Sequence, residues 1–315
     1  MQTSSRPRVL VMMATYNGSR WVREQMDSIL AQEGVDVTLR IVDDRSTDDT
    51  FEVVSAYAAE HPEVRATRNE RNLGVTDNFM QMVYEGQAQG YDLYAFSDQD
   101  DVWLPEKLAC AAAAIDAAGG EGEPILYYSD LLNVSDASEE RELARFAECE
   151  RHPGTVLVRN YVNGCVMVCN RALFDLVRSY RPAVFPRMHD VWFHMVARFC
   201  GTVVADLDHV LIRRRITGEN VVGETKLEVD SREEVAELAR MTLSRYEHAC
   251  GRTAEVFWEG YSDRVRPEHR EGLEQFLHYR ESLDRRIRIS GSDWYWLPSP
   301  QARLRMKAGF LLGFY

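Results

Sequence analysis

Three acidic side chains lie within four residues of one another, directly after a strand-like run. Asp98, Asp100 and Asp101 follow the apolar and aromatic segment Leu93–Phe96. Carboxylates held this close repel one another and raise each other's pKa unless a cation lies between them. Carboxylate oxygens with room for water suit Mg²⁺ or Mn²⁺, and such ions usually share their ligands with a substrate phosphate. The spacing therefore predicts a divalent-metal site that holds a diphosphate; the alternative is a solvated acidic turn that caps the next helix.

The elements that would position these acids alternate between strand and helix patterns four times in the first 118 residues. This alternation predicts an α/β fold with a mostly parallel sheet and helices on both faces. Ligands in such folds bind at the carboxyl ends of the strands. The four predicted strands end in polar segments, which are Thr15–Asn17, Asp43–Asp44, Asn69 and Asp98–Asp101. Their agreement favours a binding site at this edge of the sheet over an isolated acidic turn.

The composition limits the class of protein. The 315 residues are 45% hydrophobic, which is enough for a large core, and the net charge is −13. An acidic chain of this kind is a poor general nucleic-acid binder, so we expect no nucleic-acid partner. Beyond residue 225 the sequence becomes highly charged with helical spacing, and we predict two domains, an α/β domain over 1–225 and a helical appendage over 226–315.

The cysteines and the apolar runs bear on the cellular compartment. Six cysteines are scattered without C-x-x-C spacing, which is typical of reduced thiols in a cytosolic protein. No run reaches the roughly 18 apolar residues that span a bilayer, so we expect a cytoplasmic protein. Residues 298–315 combine leucines and aromatics with three cations and no acid. This segment could contact the inner face of the membrane, dock on its own domain as a terminal helix, or form a dimer contact.

An ordered set of motifs runs through residues 8–223, and it resembles family 2 glycosyltransferases of the GT-A fold, in particular the bacterial rhamnosyltransferases. The motifs that carry the resemblance are Ala14–Gly18, Gln25–Gln32, Asp43–Thr50, Asn72–Gly74, Phe96–Leu108, Gly164–Cys165, His189–Trp192 and Gly218–Gly223. The resemblance implies an inverting, metal-dependent transfer of a sugar from a nucleotide donor, in a single displacement without a covalent intermediate. It implies dTDP-L-rhamnose as donor, Mn²⁺ or Mg²⁺ as cofactor, and a cell-surface glycan or lipid-linked saccharide as acceptor.

On the nucleotide side, the resemblance implies that Asp44 accepts a hydrogen bond from the N3–H of a pyrimidine base. A carboxylate is a suitable acceptor for that imide donor. Thr15, Tyr16 and Asn17 would line the same pocket. The alternative is that Asp43 and Asp44 only serve the helix N-terminus that begins near Ser46.

On the reaction side, the resemblance implies that Asp100 ligates the metal and that Asp98 contacts the ribose or supports the metal. Asp190 would be the general base that takes the proton of the acceptor hydroxyl. Arg215 would clamp the diphosphate, since planar guanidinium donors suit phosphate oxygens. The alternatives are helix caps for Asp101 and Asp190, and a solvated strand face for the arginines.

Several assignments stay open on the sequence. His189 could tune Asp190 or be structural, and Trp103 and Trp192 could stack on acceptor sugars or lie in the core. The family usually has Tyr-Arg-Gln-His before its last motif, whereas this chain has Arg214–Thr217, so the sugar itself is in doubt. Alternative functions are transfer from a UDP-hexose, a non-catalytic relative that only binds glycan or nucleotide, and a nucleotidyltransferase. The last is disfavoured because no glycine- and lysine-rich phosphate loop is present.

Overall fold

The structure is a computed structural model that describes residues 6–85, 90–120, 122–135, 138–185, 187–216 and 249–315. It comprises two compact units, one formed by Met1–Ala144 with Tyr161–Arg215 and the other by Arg145–Asn160 with Ile216–Tyr315. The predicted boundary at residue 225 and the predicted Gly218–Gly223 motif lie outside the described residues.

In the part of the chain that the structure describes, the strands all belong to the first unit. They are β1 (Arg8–Thr15), β2 (Asp36–Asp43), β3 (Val64–Arg68), β4 (Leu93–Ser97), β5 (Val102–Trp103), β6 (Ile125–Val134), β7 (Glu139–Arg141), β8 (Met167–Asn170) and β9 (Thr202–Arg215). Helices occur in both units. They are α1 (Val22–Leu30), α2 (Thr50–Glu60), α3 (Val75–Glu85), α4 (Lys107–Ala117), α5 (Thr155–Val158), α6 (Arg171–Arg178), α7 (His189–Cys200), α8 (Ala249–Tyr261), α9 (Pro267–His278), α10 (Leu283–Ser290) and α11 (Pro300–Leu312).

The strands of the described residues form one mixed sheet in the order β3-β2-β1-β4-β8-β6-β9-β5, with β7 paired to β6. The first four strands in the chain are mutually parallel, and β6 and β9 are parallel to each other. Strand β8 is antiparallel to both of its neighbours, β4 and β6. This α/β architecture with a mostly parallel sheet confirms the predicted fold class.

Local sequence explains the central strands. The run in β1 and the run in β4 are almost entirely buried, as expected for strands covered on both faces.

Helix α7 is also a core element, since 11 of its 12 residues are buried. A helix that is apolar nearly all round belongs in a core rather than on a surface, which explains why α7 carries polar site residues into the interior.

One prediction about the late strands was wrong. The apolar runs over residues 203–205 and 210–212 predict two separate strands, but both lie within β9. The register against β6 shifts between Ser129 and Asp130 and again before Leu131. Such a bulge keeps one strand continuous while it absorbs extra residues, and here these include residues 207–209, between the paired Asp206 and Val210.

The second unit is helical around an aromatic core. Phe276, Tyr279, Tyr295 and Phe310 are buried and contact one another, with Phe310 edge-on to Tyr279 at 5.4 Å between ring centres. These rings bind α9 and α11 to the segment between α10 and α11. The unit therefore holds together mainly through aromatic burial.

Two observations concern the membrane and the thiols. Within the described ranges, every helix is too short or too polar to cross a lipid bilayer. All six cysteines are described, none of them forms a disulfide, and all but Cys110 are buried.

Candidate active site

The carboxyl ends of β1, β2 and β4 lie side by side at one edge of the sheet. Thr15 is paired in register with Asp43, and its hydroxyl donates to that carboxylate at 3.2 Å. The Asp44 amide donates to the Thr15 carbonyl at 2.7 Å. Parallel pairing therefore gathers the polar strand ends, as the alternation of strands and helices predicted.

Tyr16 connects this edge to residues 98–101 after β4, which we call the acidic loop. Its main-chain amide donates to Gln99 Oε1, and its carbonyl accepts from Gln99 Nε2, both at 2.9 Å. A Cβ at Gly18 would lie 2.2 Å from the Gln99 side chain, so only glycine leaves room for this bridge. The Tyr16 side chain is 46% exposed, and its ring is therefore available to a ligand at the edge.

Asn17 adopts the left-handed conformation, with φ of 51°. Its side-chain oxygen accepts from the Thr47 amide at 2.8 Å, and its own amide donates to the Ser46 hydroxyl at 3.0 Å. Asparagine tolerates this backbone region better than most residues because its short amide bonds locally. In this structure Asn17 joins the loops after β1 and β2.

The two neighbouring acids after β2 have different partners. Asp43 is fully buried, accepts from the Ser46 amide at 3.0 Å, and pairs with Arg68 at 3.2 Å. It therefore holds the turn before α2, which was the structural alternative considered for both acids. Asp44 instead turns toward the loop after β3.

Asp44 is 3% exposed, and both of its carboxylate oxygens accept hydrogen bonds. Oδ1 accepts from Asn69 Nδ2 and the Leu73 amide, and Oδ2 accepts from the Gly74 amide, each at 2.8 Å. A carboxylate has about four acceptor positions, so one remains for a further donor. Asp44 thus anchors the 69–74 loop, a role that the sequence did not indicate.

The acidic loop after β4 has perturbed proton affinities. Burial, the nearby Asp100 carboxylate and Asp190 raise the pKa of Asp98 to about 6. Burial also raises the pKa of Asp100, against the opposing field of Arg215 and Arg214. The Asp190 carboxylate is close enough to Asp98 to contribute to its raised pKa. The predicted metal-binding acid and the predicted base therefore lie near each other.

Asp101 lies deepest in the loop. It is 1% exposed, and neither carboxylate oxygen accepts a hydrogen bond within the described part of the chain. The next helix, α4, begins at Lys107 after Glu106 with no side-chain cap. Asp101 therefore does not cap α4, which removes one of the two roles considered for it.

Lys107 and Cys165 surround Asp101 and were missed as site residues. The ligand atoms of Asp98, Asp101 and Cys165 all lie within 4.8 Å of one another. Burial raises the pKa of the Cys165 thiol and lowers that of the Lys107 ammonium to about 7. The ammonium is fully buried 3.7 Å from the centre of the Trp103 ring. The one sequence signal was a lysine at the start of an otherwise apolar helix.

The donor set fits a divalent cation. The Asp101 oxygens are buried without hydrogen-bond donors in the described residues, and the acids raise each other's pKa. Both features are expected where carboxylates await a positive charge. Hard oxygen donors suit Mg²⁺ or Mn²⁺ better than they suit soft metals. The cluster that the structure gathers contains the carboxylates of Asp98 and Asp101 together with the Cys165 thiol, whereas the prediction paired Asp98 with Asp100.

The three arginines at the end of β9 differ in their contacts. Arg213 pairs with Glu139 at 2.6 Å and Arg214 with Glu142 at 3.0 Å. Arg215 donates to the Asp100 carbonyl at 3.0 Å and to Glu24 at 2.8 Å. Of the three, Arg215 is thus the one bonded directly to the acidic loop.

Asp190 and His189 open α7. Asp190 is 5% exposed, and its Oδ1 accepts from the Val191 amide at 2.6 Å. His189 stacks on Phe79 with ring centres 4.1 Å apart, and burial lowers its pKa to about 3. A neutral, buried imidazole of this kind packs as an aromatic ring.

Both candidate tryptophans are core residues. Trp103 is 2% exposed and Trp192 is 1% exposed. A sugar cannot stack on a ring that is fully covered by protein, so the structure favours the packing alternative for each.

Comparison with known proteins finds relatives of part of the first unit. Residues 10–122 match the family model "Glycosyl transferase family 2". Among curated proteins, a dTDP-rhamnosyl transferase of Shigella flexneri is 37% identical over 98 residues, which is 30% of this chain and 34% of that protein. The succinoglycan biosynthesis protein ExoO of Rhizobium meliloti is 35% identical over 144 residues, 46% of this chain and 38% of that protein. The chain therefore spans about a third of the length of these relatives.

Solved structures show the same fold over nearly the whole chain. Staphylococcus aureus TarS, solved with UDP, superposes with a TM-score of 0.56 at 17% identity, covering 98% of this chain and 89% of that one. The mannosyltransferase PcManGT of Pyrobaculum calidifontis, solved with GDP-Man and Mn²⁺, gives 0.56 at 15% identity, covering 98% and 75%. This likeness shows that the chain has the GT-A fold of these glycosyltransferases, and its residues 10–122 resemble glycosyl transferase family 2.

Proposed function

We propose that this protein is an inverting glycosyltransferase that moves a sugar from a nucleotide donor onto a glycan or lipid-linked saccharide. The observation that carries the proposal is the meeting of Asp98, Asp100, Asp101 and Asp190 at the carboxyl edge of the sheet. Four carboxylates at one edge need a cation to be stable together when ionised. A nucleotide diphosphate with a divalent metal supplies both the cation and a use for it.

The donor in this proposal is dTDP-L-rhamnose. The support is the match to a dTDP-rhamnosyl transferase, which covers 30% of the chain. The competing donor is a UDP-hexose, since one neighbour of the same fold was solved with UDP-GlcNAc. The test below distinguishes the two donors by the nucleotide alone.

The nucleotide would bind across the ends of β1, β2 and β4. Tyr16 would offer its exposed ring to the base, with Thr15 and Asn17 shaping the loop beneath it. Asp44 has one acceptor position left beside its three loop hydrogen bonds, and this position would read the imide N–H of a pyrimidine.

Asp98 and Asp100 would hold a Mn²⁺ or Mg²⁺ ion, with Asp101 as the deeper carboxylate behind them. When bound, this ion would stabilise the negative charge that develops on the departing diphosphate. Arg215 would fix the acidic loop through its bond to the Asp100 carbonyl and would add positive charge on the same side.

Asp190 would be the general base. Its carboxylate is held by the Val191 amide and lies close enough to raise the pKa of Asp98. It would take the acceptor hydroxyl proton as that oxygen attacks the anomeric carbon, which inverts the configuration in one displacement. Residues 298–315 would contact the membrane that carries a lipid-linked acceptor.

The first test is thermal unfolding with dTDP, UDP, GDP and CDP, each with and without Mn²⁺. A ligand that binds only the native state raises the unfolding temperature, and the rise grows with the logarithm of the ligand's excess over its dissociation constant. A metal-dependent rise with dTDP is expected. A larger rise with UDP would move the donor to a UDP-hexose. No rise with any nucleotide would overturn the proposal and favour a non-catalytic relative.

A further inference from the structure

Helix α11 has two apolar faces. Met306, Gly309 and Phe310 are buried in the second unit. Leu304, Leu311 and Leu312 are 71%, 40% and 64% exposed. At about 100° per residue, positions i, i+7 and i+8 lie on one side of a helix, and the buried set lies on the other. We call the exposed set the leucine face.

Two cations border the leucine face. Arg305 and Lys307 are both exposed, and the helical spacing puts one on each side of Leu304. Acidic residues are absent from residues 294–315. Leucines between flanking cations are typical of a helix that lies in the plane of a membrane surface, with cations among the head groups and leucines below them.

The neighbouring helix extends this surface. Helix α10 packs against α11 and exposes Leu283 and Ile287, which are 66% and 55% exposed and four residues apart. Residues 283–315 contain six basic and two acidic residues, a net charge of +4 in a chain of net charge −13. The apolar exposure and the positive charge therefore coincide in one segment.

We propose that the leucine face, with Leu283 and Ile287, binds the surface of a bilayer that contains anionic phospholipid. The charge argues for this occupant over a second copy of the chain. A two-fold contact between copies would bring Arg305 and Lys307 against the same cations of the other copy. An anionic bilayer instead attracts each such cation, because its surface potential is negative. The inference deepens the proposed function, on which it rests for its biological role, because a lipid-linked acceptor would be met at that surface.

The test is co-sedimentation of the full chain with vesicles of phosphatidylcholine alone or mixed with phosphatidylglycerol. Binding to the anionic vesicles is expected, and it should weaken as salt rises. Exchanging both cations, as Arg305→Gln with Lys307→Gln, should weaken binding by about tenfold or more. Leu304→Gln with Leu311→Gln should abolish binding to either kind of vesicle.

Matched control variants distinguish binding through this surface from non-specific binding to vesicles. Val184→Gln changes a 64% exposed apolar residue of the first unit, and Arg264→Gln changes an arginine whose side chain is 65% exposed. Both should bind vesicles as the unchanged protein does. Because all the altered side chains are exposed, each variant should keep its unfolding temperature, and this is measured alongside.

Three outcomes would overturn the inference. They are no binding to anionic vesicles, equal binding by the leucine variant, and self-association in sedimentation velocity that the leucine variant removes. The nucleotide shift is measured on the same samples without vesicles. If the dTDP shift is retained and vesicle binding is absent, only the inference of membrane binding is wrong. If vesicles bind and no nucleotide shifts the unfolding temperature, only the proposed sugar transfer is wrong.

Discussion

Arg215 and Asp100 are joined by a 3.0 Å hydrogen bond from the guanidinium of the first to the main-chain carbonyl of the second. The same guanidinium lies 4.1 Å from the centre of the Trp21 ring and bonds Glu24. It therefore ties the end of β9 to the acidic loop and to α1. A residue that holds the loop through its backbone controls where the carboxylates point.

The first prediction follows from this tie. Arg215→Met should weaken metal-dependent nucleotide binding by roughly tenfold or more, since a hydrogen bond from a charged donor contributes about 1.5–3 kcal/mol. The control is Arg213→Met, which removes a partly exposed ion pair with Glu139 on the same strand. Surface pairs contribute little, so the control should bind nucleotide normally. Isothermal titration with dTDP and Mn²⁺ measures both, and equal affinities would contradict the role of Arg215.

The second prediction concerns Asp44. Asp44→Ala removes the acceptor for three hydrogen bonds of the 69–74 loop. Leaving one buried and two partly buried donors unpaired should cost about 2–3 kcal/mol, which lowers the unfolding temperature by roughly 5–10 °C. Asp49→Ala, at the start of α2 where the side chain makes no cap bond, is the control. If Asp44→Ala unfolds at the temperature of the unchanged protein, the anchoring role is wrong.

The central strands could be predicted from the sequence because their apolar runs are long and end in polar turns. Their apolar runs predict strands over 8–14, 37–42, 64–68 and 93–97, whose ends differ from those of β1 to β4 by at most one residue. The polar ends of these strands do converge. The sequence could not place Cys165 beside Asp101, since 64 positions separate them and only the antiparallel entry of β8 next to β4 brings them together.

Asp44 shows a different limit of the sequence. Its loop partners include the main-chain amides of Leu73 and Gly74, and main-chain donors leave no mark on residue type. Motifs indicated that Asp44 mattered, but its hydrogen-bond partners depend on a loop conformation that no local pattern encodes.

The third prediction is a pH dependence from Asp98. Its pKa of about 6 lies above the ordinary 3.8 because burial and neighbouring carboxylates disfavour the charge. Metal-dependent nucleotide binding needs the ionised form, so affinity should fall about tenfold per pH unit below pH 6. Titrations between pH 5 and 8 measure this, and a flat profile would exclude Asp98 from the metal-dependent site.

The same pKa fixes the sign of the stability effect. Between about pH 4 and 6 the folded chain binds the Asp98 proton more tightly than the unfolded chain does. The free energy of unfolding without ligand should therefore fall as pH rises through this range. Asp98→Asn removes this partly buried charge and should stabilise the ligand-free protein at pH 8 by roughly 1–3 kcal/mol, while it abolishes the metal-dependent shift. Asp116→Asn, on the exposed side of α4, should change neither quantity.

The last prediction separates binding from chemistry at Asp190. Asp190→Asn keeps the size of the side chain and an oxygen for the Val191 amide, so α7 and the donor site should be intact. The amide cannot accept the acceptor's proton, so kcat should fall about 10²–10⁴-fold while the dTDP shift and the donor KM stay unchanged. Asp175→Asn, an exposed acid on α6, controls for charge. Retained turnover in Asp190→Asn would assign the base to another group, whereas a loss of the nucleotide shift would make Asp190 part of the donor site rather than the base.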